Sequence, residues 1–344
     1  MKRLMLVALC GLVAASAVAQ TTYTWKGGNA NENTGAGANW HAPAPTNGAS
    51  GNFVFDVDEL ASTNYFSPNW NTTDIEMSSL YIDGDASFAG FAIRGANDID
   101  LSGDVTVVDG GHTLANTLTL QDDISIDVQS GSLGITYGGI QGDYSVTKTG
   151  SGTLNFDLWG DLTSGYTGGL NVNGGTVEFV EDDNLAGTGS DVSLDGGTLK
   201  YTGGATAAMA RDFTVNSGGG TIDVASGEAS ISAGNTISGS GDLVKSGSGQ
   251  LTVQTDNSTT FSGAVDVQSG TVYVDAANAL GTGTITLADG ATIDSGNTSR
   301  TLDNDIVVGG DITLGKGTTR KLTLSGEIDV GSSDRVVTVG TGGN

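Results

Sequence analysis

The chain is poor in the residues on which most chemistries depend. Among 344 residues there are one cysteine, three prolines, two histidines and only 13 Lys/Arg. The cysteine, Cys10, has no second thiol to pair with, which excludes a disulfide framework and a Cys-ligated metal. The two histidines, His41 and His112, lie in different regions and leave little scope for an imidazole base or a His-rich metal site. Against 39 Asp/Glu the basic residues leave a formal charge of -26, which sets the chain against nucleic acid or an anionic membrane surface as a partner. The one apolar run starts at Leu4 and is too short and too early for a membrane span.

That run belongs to "MKRLMLVALCGLVAASAVAQ", with Lys2 and Arg3 ahead of it and small residues at Ala17 and Ala19. This is the pattern of a secretory signal peptide, residues 1–19, cut after Ala19. Leu9 before Cys10, where a lipoprotein signal needs a small residue, speaks against a lipid anchor. Cleavage would remove the only cysteine and leave 11 basic against 39 acidic residues, a formal charge of -28.

Glycine is what the chain has in excess: 56 residues, about twice the ordinary usage of roughly 7 %. Turns are therefore made by Gly, Asn and Asp rather than Pro. From about residue 75 onward, strands of three to five residues with Val, Ile or Leu at alternate positions are broken by Gly, Asp, Asn and Ser, and no segment holds a helical period. Residues 20–70 differ. They hold Trp25, Trp40 and Trp70 and two strand-like pieces, "TTYTW" and "NFVFDV", separated by a Gly/Asn/Ala/Pro-rich stretch.

A long period underlies the short one. "KTGSGTL" at 148–154 returns as "KSGSGQL" at 245–251; "YTGGLNVNGGTVEF" at 166–179 returns as "FSGAVDVQSGTVYV" at 261–274; "DNLAGTG" at 183–189 returns as "ANALGTG" at 277–283; "RDFTV" near 211 returns as "NDIVV" near 304. The offsets shrink from 97 to 93 residues, as an internal duplication with small insertions would produce. An Asn-Gly-Gly between alternating hydrophobics, as at Asn173–Gly175, normally marks a hairpin. Its copy carries Gln268-Ser269-Gly270, which a two-residue reversal with positive φ at both positions would resist. A solenoid corner needs one permissive glycine.

Strands this short exclude an outer-membrane barrel, whose strands need about 9–11 residues, and a propeller, whose blades of roughly 40–50 residues carry aromatic signatures missing here. A parallel β-helix fits: coils of about 20 residues stacked ~4.8 Å apart, four or five to each period, about 13 coils and a rod near 60 Å. Alternation then turns Val172, Val177, Phe179, Val192, Leu194 and Leu199 inward and Glu178, Asp195 and Lys200 outward. Residues 20–70 read as an aromatic cap on an otherwise open end, and 71–344 as the helix.

The run "GSGDLVKSGSGQLTV…TFSGAVDVQSGTVYVDAANALGTGTITLADGATI" resembles the autotransporter-associated β-strand repeat, with its Lys-Thr-Gly-x-Gly-x-Leu, Tyr/Phe-x-Gly, Gly-Thr-Leu and Ala-Leu-Gly-Thr-Gly blocks. The opening "YTWKGGNANENTGAGANWHAPAPTNG…FVFD" is similar to the amino-terminal part of many secreted proteins that carry it. The resemblance implies an all-β, right-handed parallel β-helix exported across a Gram-negative-type envelope and secreted or displayed at the cell surface. It brings no catalytic residues to carry over. A passenger of this kind is expected to be followed by a translocating barrel, and none is encoded before Asn344; the expectation is that the chain is a fragment or that export and attachment use another route.

Several side chains could still support chemistry. Parallel β-helices host polysaccharide lyases and hydrolases, whose sites need carboxylates converging from adjacent coils, to hold Ca²⁺ or to act as an acid and base about 5–9.5 Å apart. Glu181-Asp182-Asp183, Asp122-Asp123 and Asp303-x-Asp305 are the candidate acidic groups. The competing reading of each is a solvated acidic coat. Serial Gly-Gly-x-Gly-x-Asp calcium repeats and a Gly-x-Ser-x-Gly elbow between strand and helix are both missing. Lys148 and Lys245, one period apart, are expected to open corners and to pair with surface acids. The tryptophans could stack on sugars, but capping a coil end is the preferred reading.

The expectation is a non-enzymatic secreted or cell-surface scaffold, an adhesin-like or passenger-like spacer. It would be a monomeric rod whose partners are surface glycans or other cell-surface proteins, with no nucleic acid, no membrane insertion, no cofactor, and no residue assigned a catalytic, cofactor-binding or metal role. The alternative is a carbohydrate-active β-helix enzyme using an acidic groove.

Overall fold

The computed structural model describes residues 20–26, 39–41, 43–56, 75–84, 90–95, 97–136, 138–156, 164–187, 189–295, 298–315 and 320–340. The leader 1–19, Trp70 and the end of the cap segment lie outside them. The strands of the described residues pair with one another in parallel, in sheets of 13, 12, seven and two strands, and an isolated antiparallel bridge joins Trp25 to Trp40. Successive rungs of the 12-stranded sheet are 20–23 residues apart, as in Ser132↔Thr153↔Thr176↔Thr198↔Thr221 and Val265↔Ile285↔Ile306. The chain is a β-solenoid with a coil of about the expected length; twelve rungs at ~4.8 Å make a stack near 55 Å long.

Each coil visits three sides. The first is the 13-stranded sheet, which includes Val146–Thr149, Leu170–Val172, Val192–Leu194, Phe213–Val215 and Ile237–Gly239. The second is the 12-stranded sheet, from Ala92–Arg94 to Ile328–Asp329. The third is lined early by Ile99–Leu101, Leu118–Leu120 and Ile140–Gln141, which belong to the same 13-stranded sheet and join it through the long strand Glu76–Asp83, and later by the seven-stranded sheet that starts at Thr206–Met209. Asn173–Gly175 is a corner: Leu170–Val172 lies in the first sheet and Thr176–Phe179 in the second. Gly175 alone takes a left-handed φ of 60°, as Gly270 does at 72° in the copy, and a Cβ on Gly175 would stand 2.3 Å from the Gly152 carbonyl oxygen. One permissive glycine is what this corner requires.

The duplication is not a whole number of coils. From Val146, four rungs of the first sheet lead to Ile237, and the matching strand, Leu243–Ser246, lies one strand further on, in the second sheet. The same shift holds throughout. Ile140–Gln141 on the third side matches Ile237–Gly239 on the first, and Thr176–Phe179 on the second matches Thr271–Val274 on the third. Equivalent sequences therefore occupy sides rotated by one place about the rod.

Alternation carries the core as expected. Val172, Val177, Phe179, Val192, Leu194 and Leu199 are all fully buried, each contributing about 1.5–3 kcal/mol of apolar burial. Outside, Glu178 and Lys200 sit in register and pair at 2.8 Å. At the amino-terminal end Thr22–Trp25 and Ser50–Asp56 already stack in parallel beneath Glu76–Asp83, so the aromatic cluster is built into the first rungs. Trp25 and Trp40 meet edge to face at 5.2 Å, and Trp40 packs on Phe53 and Phe55 at 6.0 and 5.8 Å. Both tryptophans are buried, which leaves them no face for a sugar ring.

Candidate functional site

The two lysines do not face the acidic surface. Alternation gives Lys148 the same inward parity as Val146, and both Lys148 and Lys245 are fully buried. The Lys245 ammonium donates to the carbonyls of Ser246 at 2.6 Å, Gly247 at 3.0 Å and, one coil on, Ser269 at 3.2 Å. Lys148 repeats the arrangement with Thr149, Gly150 at 3.1 Å and Gly174 at 3.4 Å. Burial pushes both amines down to about 8, against the opposing pull of Asp127 on Lys148 and of Asp223 on Lys245. The expected surface salt bridge is thus replaced by a carbonyl cage that ties each Gly-Ser-Gly corner to the corner above it.

The acidic groups have similar structural partners. Asp104, Asp123, Asp212, Asp242 and Asp305 each accept the backbone N–H of a residue one coil further on, Ser125, Ser145, Thr236, Ala264 and Glu327 in turn, at 2.6–3.0 Å. Four of those amides immediately precede a strand and that of Ser125 lies at the start of one, so the carboxylates supply acceptors where the coil turns into its ladder. Of the sequence candidates, Asp122 accepts the N–H of Asp123 at 2.8 Å, and Asp303 accepts from Ser325 Oγ and from Asn278 Nδ2. These hydrogen bonds hold Asp123 and Asp303 below the usual carboxylate range. Among the described residues no group of three or more His, Cys, Asp or Glu is placed to hold a metal ion.

His112 is buried with both ring nitrogens engaged: Nδ1 accepts from Phe91 N–H at 2.9 Å and Nε2–H donates to the Asp109 carbonyl at 2.6 Å. Burial lowers its pKa, and the ring stacks on Phe91. His41 is exposed, and its backbone N–H bonds Thr24 beside the tryptophan pair.

Glu181-Asp182-Asp183 lines a cavity. Glu181 caps a short 3₁₀ turn, Asp182–Asn184, and the run faces Gly203–Ala208 and Ala210 across a groove of about 380 Å³, with Val180 and Tyr201 completing its wall. The turn is held from behind by Arg211, fully buried: Nε pairs with Asp182 Oδ1 at 2.6 Å, Nη2 donates to Asp182 O at 2.9 Å, and Nη1 donates to Ser190 O at 3.0 Å. Tyr166, also buried, donates its hydroxyl to the Leu185 carbonyl, and burial raises its pKa. Sequence reasoning passed over Arg211, although "RDFTV" gives it the inward parity of Phe213 and Val215. Asp182 is neutralised by this pair, while Glu181 and Asp183 remain exposed at the lip. One carboxylate of the run is thus held by a guanidinium, and the other two face solvent.

Comparison with known proteins bears on the repeat itself. Residues 146–179 and 243–274 match the Passenger-associated-transport-repeat. The chain thus carries an autotransporter-associated β-strand repeat folded as a β-solenoid, and its two matched segments are the copies that occupy rotated sides of the rod. Each contains one buried lysine cage. No curated protein and no solved structure matches the chain.

Proposed function

We propose that this repeat protein is a non-enzymatic exported scaffold, secreted or held at the cell surface, that acts as a stiff passenger-like spacer with adhesin-like partners such as surface glycans or proteins. One observation carries the reading: the buried cations and a set of aspartates tie coil to coil. Lys148, Lys245 and Arg211 hold backbone carbonyls of neighbouring coils, and the corner aspartates hold amides of the next coil. A rod stitched along its length resists bending, which suits extension and presentation. The repeat matched at 146–179 and 243–274, by its description associated with passenger transport, agrees with export. No helix among the described residues is long and apolar enough to cross a membrane, in keeping with a chain that is displayed rather than inserted through helices.

The test is a panel of polysaccharides incubated with the chain from residue 20 onward, with and without Ca²⁺, and analysed for new reducing ends and for unsaturated products. The scaffold reading expects neither. Reproducible turnover of one glycan would overturn it in favour of a carbohydrate-active β-helix enzyme.

A further inference from the structure

The groove beside Arg211 has a second property, which lies in its backbone. Thr206–Met209 is the terminal strand of the seven-stranded sheet and pairs only with Glu228–Ile231 above it among the described residues. Below it the chain forms the 3₁₀ turn at Asp182–Asn184 in place of a strand. In a parallel pair the N–H and C=O of one residue point to the same neighbour, and successive residues alternate. Glu228 N–H bonds Ala205 O and Ser232 N–H bonds Met209 O, both at 3.0 Å. Ala205, Ala207 and Met209 therefore serve the strand above, and Thr206 and Ala208 turn their N–H and C=O into the groove. Ala210 shows the direction, since its N–H reaches down to Asp182 Oδ2 at 3.2 Å.

Stacking closes most interior strand edges of a solenoid against the next coil, and this one stays open. The side chains keep this one accessible: Gly203, Gly204, Ala205 and Ala208 put little bulk between the edge and an incoming backbone. We propose that the groove is a strand-addition site, in which a partner protein contributes an extended basic peptide that bonds the free edge at Thr206 and Ala208 and sets a Lys or Arg against Glu181 and Asp183.

The occupant follows from charge. The exposed carboxylates of Glu181 and Asp183 lie at the lip of the groove, and Asp182 is already matched by Arg211. A second copy of this chain would bring a surface of formal charge -26 against the same lip, so self-pairing is opposed and a cationic strand is favoured. Main-chain bonds supply the affinity in this mode, and the flanking side chains supply the choice of partner. The proposal goes beyond the scaffold reading and does not depend on it.

The experiment uses the chain from residue 20 onward and the synthetic peptide acetyl-Lys-Val-Thr-Val-Lys-amide, with the Glu-for-Lys version and a backbone N-methylated version as controls. Saturable binding of the basic peptide is expected, with slowed hydrogen exchange at the Thr206 and Ala208 amides and with neither control binding. Ala208→Pro removes one groove-facing donor without touching a bond to the strand above, and should weaken binding about tenfold, near the upper worth of one hydrogen bond. The pair Glu181→Gln and Asp183→Asn should weaken it and flatten its salt dependence. Equal binding of the acidic and basic peptides, binding unchanged by N-methylation, or no binding at millimolar peptide would each overturn the proposal. Concentration-dependent dimerisation abolished by Ala208→Pro would overturn it in favour of self-pairing. Because the N-methylated control acts on the unaltered protein, the outcome holds even if a variant folds poorly.

Discussion

Lys148 and Lys245, 97 residues apart, hold the same three-carbonyl cage on two different sides of one rod. In both copies two acceptors come from the lysine's own corner and the third from the corner of the next coil, so the cage acts as a tie between coils. Lys148→Met should leave buried carbonyl oxygens unmatched and cost about 1–3 kcal/mol, read by chemical denaturation with its partner variant Lys245→Met.

The same cages give a pH dependence with a definite sign. Each amine is pushed from 10.5 down to about 8 in the folded state, so between those values the unfolded chain binds more protons than the folded one. Stability then rises with pH across that window. The stability of the parent protein relative to the double Lys→Met variant should therefore increase from pH 8 to pH 10.5, with denaturation midpoints at both ends as the check.

Much of this architecture can be read from the text, and the exceptions have physical causes. The corner at Asn173–Gly175, the inward Val and Leu rows and the parallel stack all follow from alternation and from the copy that replaces Asn-Gly with Gln-Ser. Lys148 is an exception, because a charged side chain reads as a surface group although its parity with Val146 points inward; backbone carbonyls a coil away do not show in a sequence. The rotated placement of the copies depends on the difference between a 93–97-residue period and a 20–23-residue coil, which requires the observed register. The groove at Glu181–Asp183 was visible as an acidic run, but Arg211 behind it and the open edge opposite it were not.

Corner glycines give an asymmetric prediction. Gly175→Ala forces a side chain into left-handed backbone, about 1–2 kcal/mol, and adds a Cβ 2.3 Å from Gly152 O. Gly174→Ser should be tolerated far better, since the copy carries Ser269 at that corner and the nearest atom to a Cβ there is 3.2 Å away. Thermal melts of the two variants distinguish them.

The ion pair that holds the groove turn is buried on both sides, with the Arg211 side chain fully covered and that of Asp182 only 13 % exposed. Asp182→Ala would leave a buried guanidinium without its carboxylate, a loss of about 3–5 kcal/mol. Denaturant titration should show that loss as a lowered midpoint.

The corner aspartates predict acid sensitivity. Hydrogen bonds from the Ser145 amide and hydroxyl hold Asp123 below the ordinary carboxylate range, so its contribution is present above the unfolded value and fades as pH falls through the folded one. Asp123→Ala should speed hydrogen exchange of the Ser145 amide at neutral pH and reduce the acid dependence of that amide.

The account rests most heavily on a single continuous stack in which the second copy is turned by one side. Spin labels on Ser151→Cys paired with Ser240→Cys, and on Ser151→Cys paired with Ser248→Cys, test it directly by distance measurement on the chain from residue 20, which carries no other cysteine. Ser151 and Ser240 sit at the same corner, four rungs apart, so their separation should be about 20 Å at ~4.8 Å per rung. Ser248 lies at the next corner round, so its distance from Ser151 should be clearly longer. A Ser151–Ser248 distance equal to or shorter than the Ser151–Ser240 distance would contradict the rotated stack.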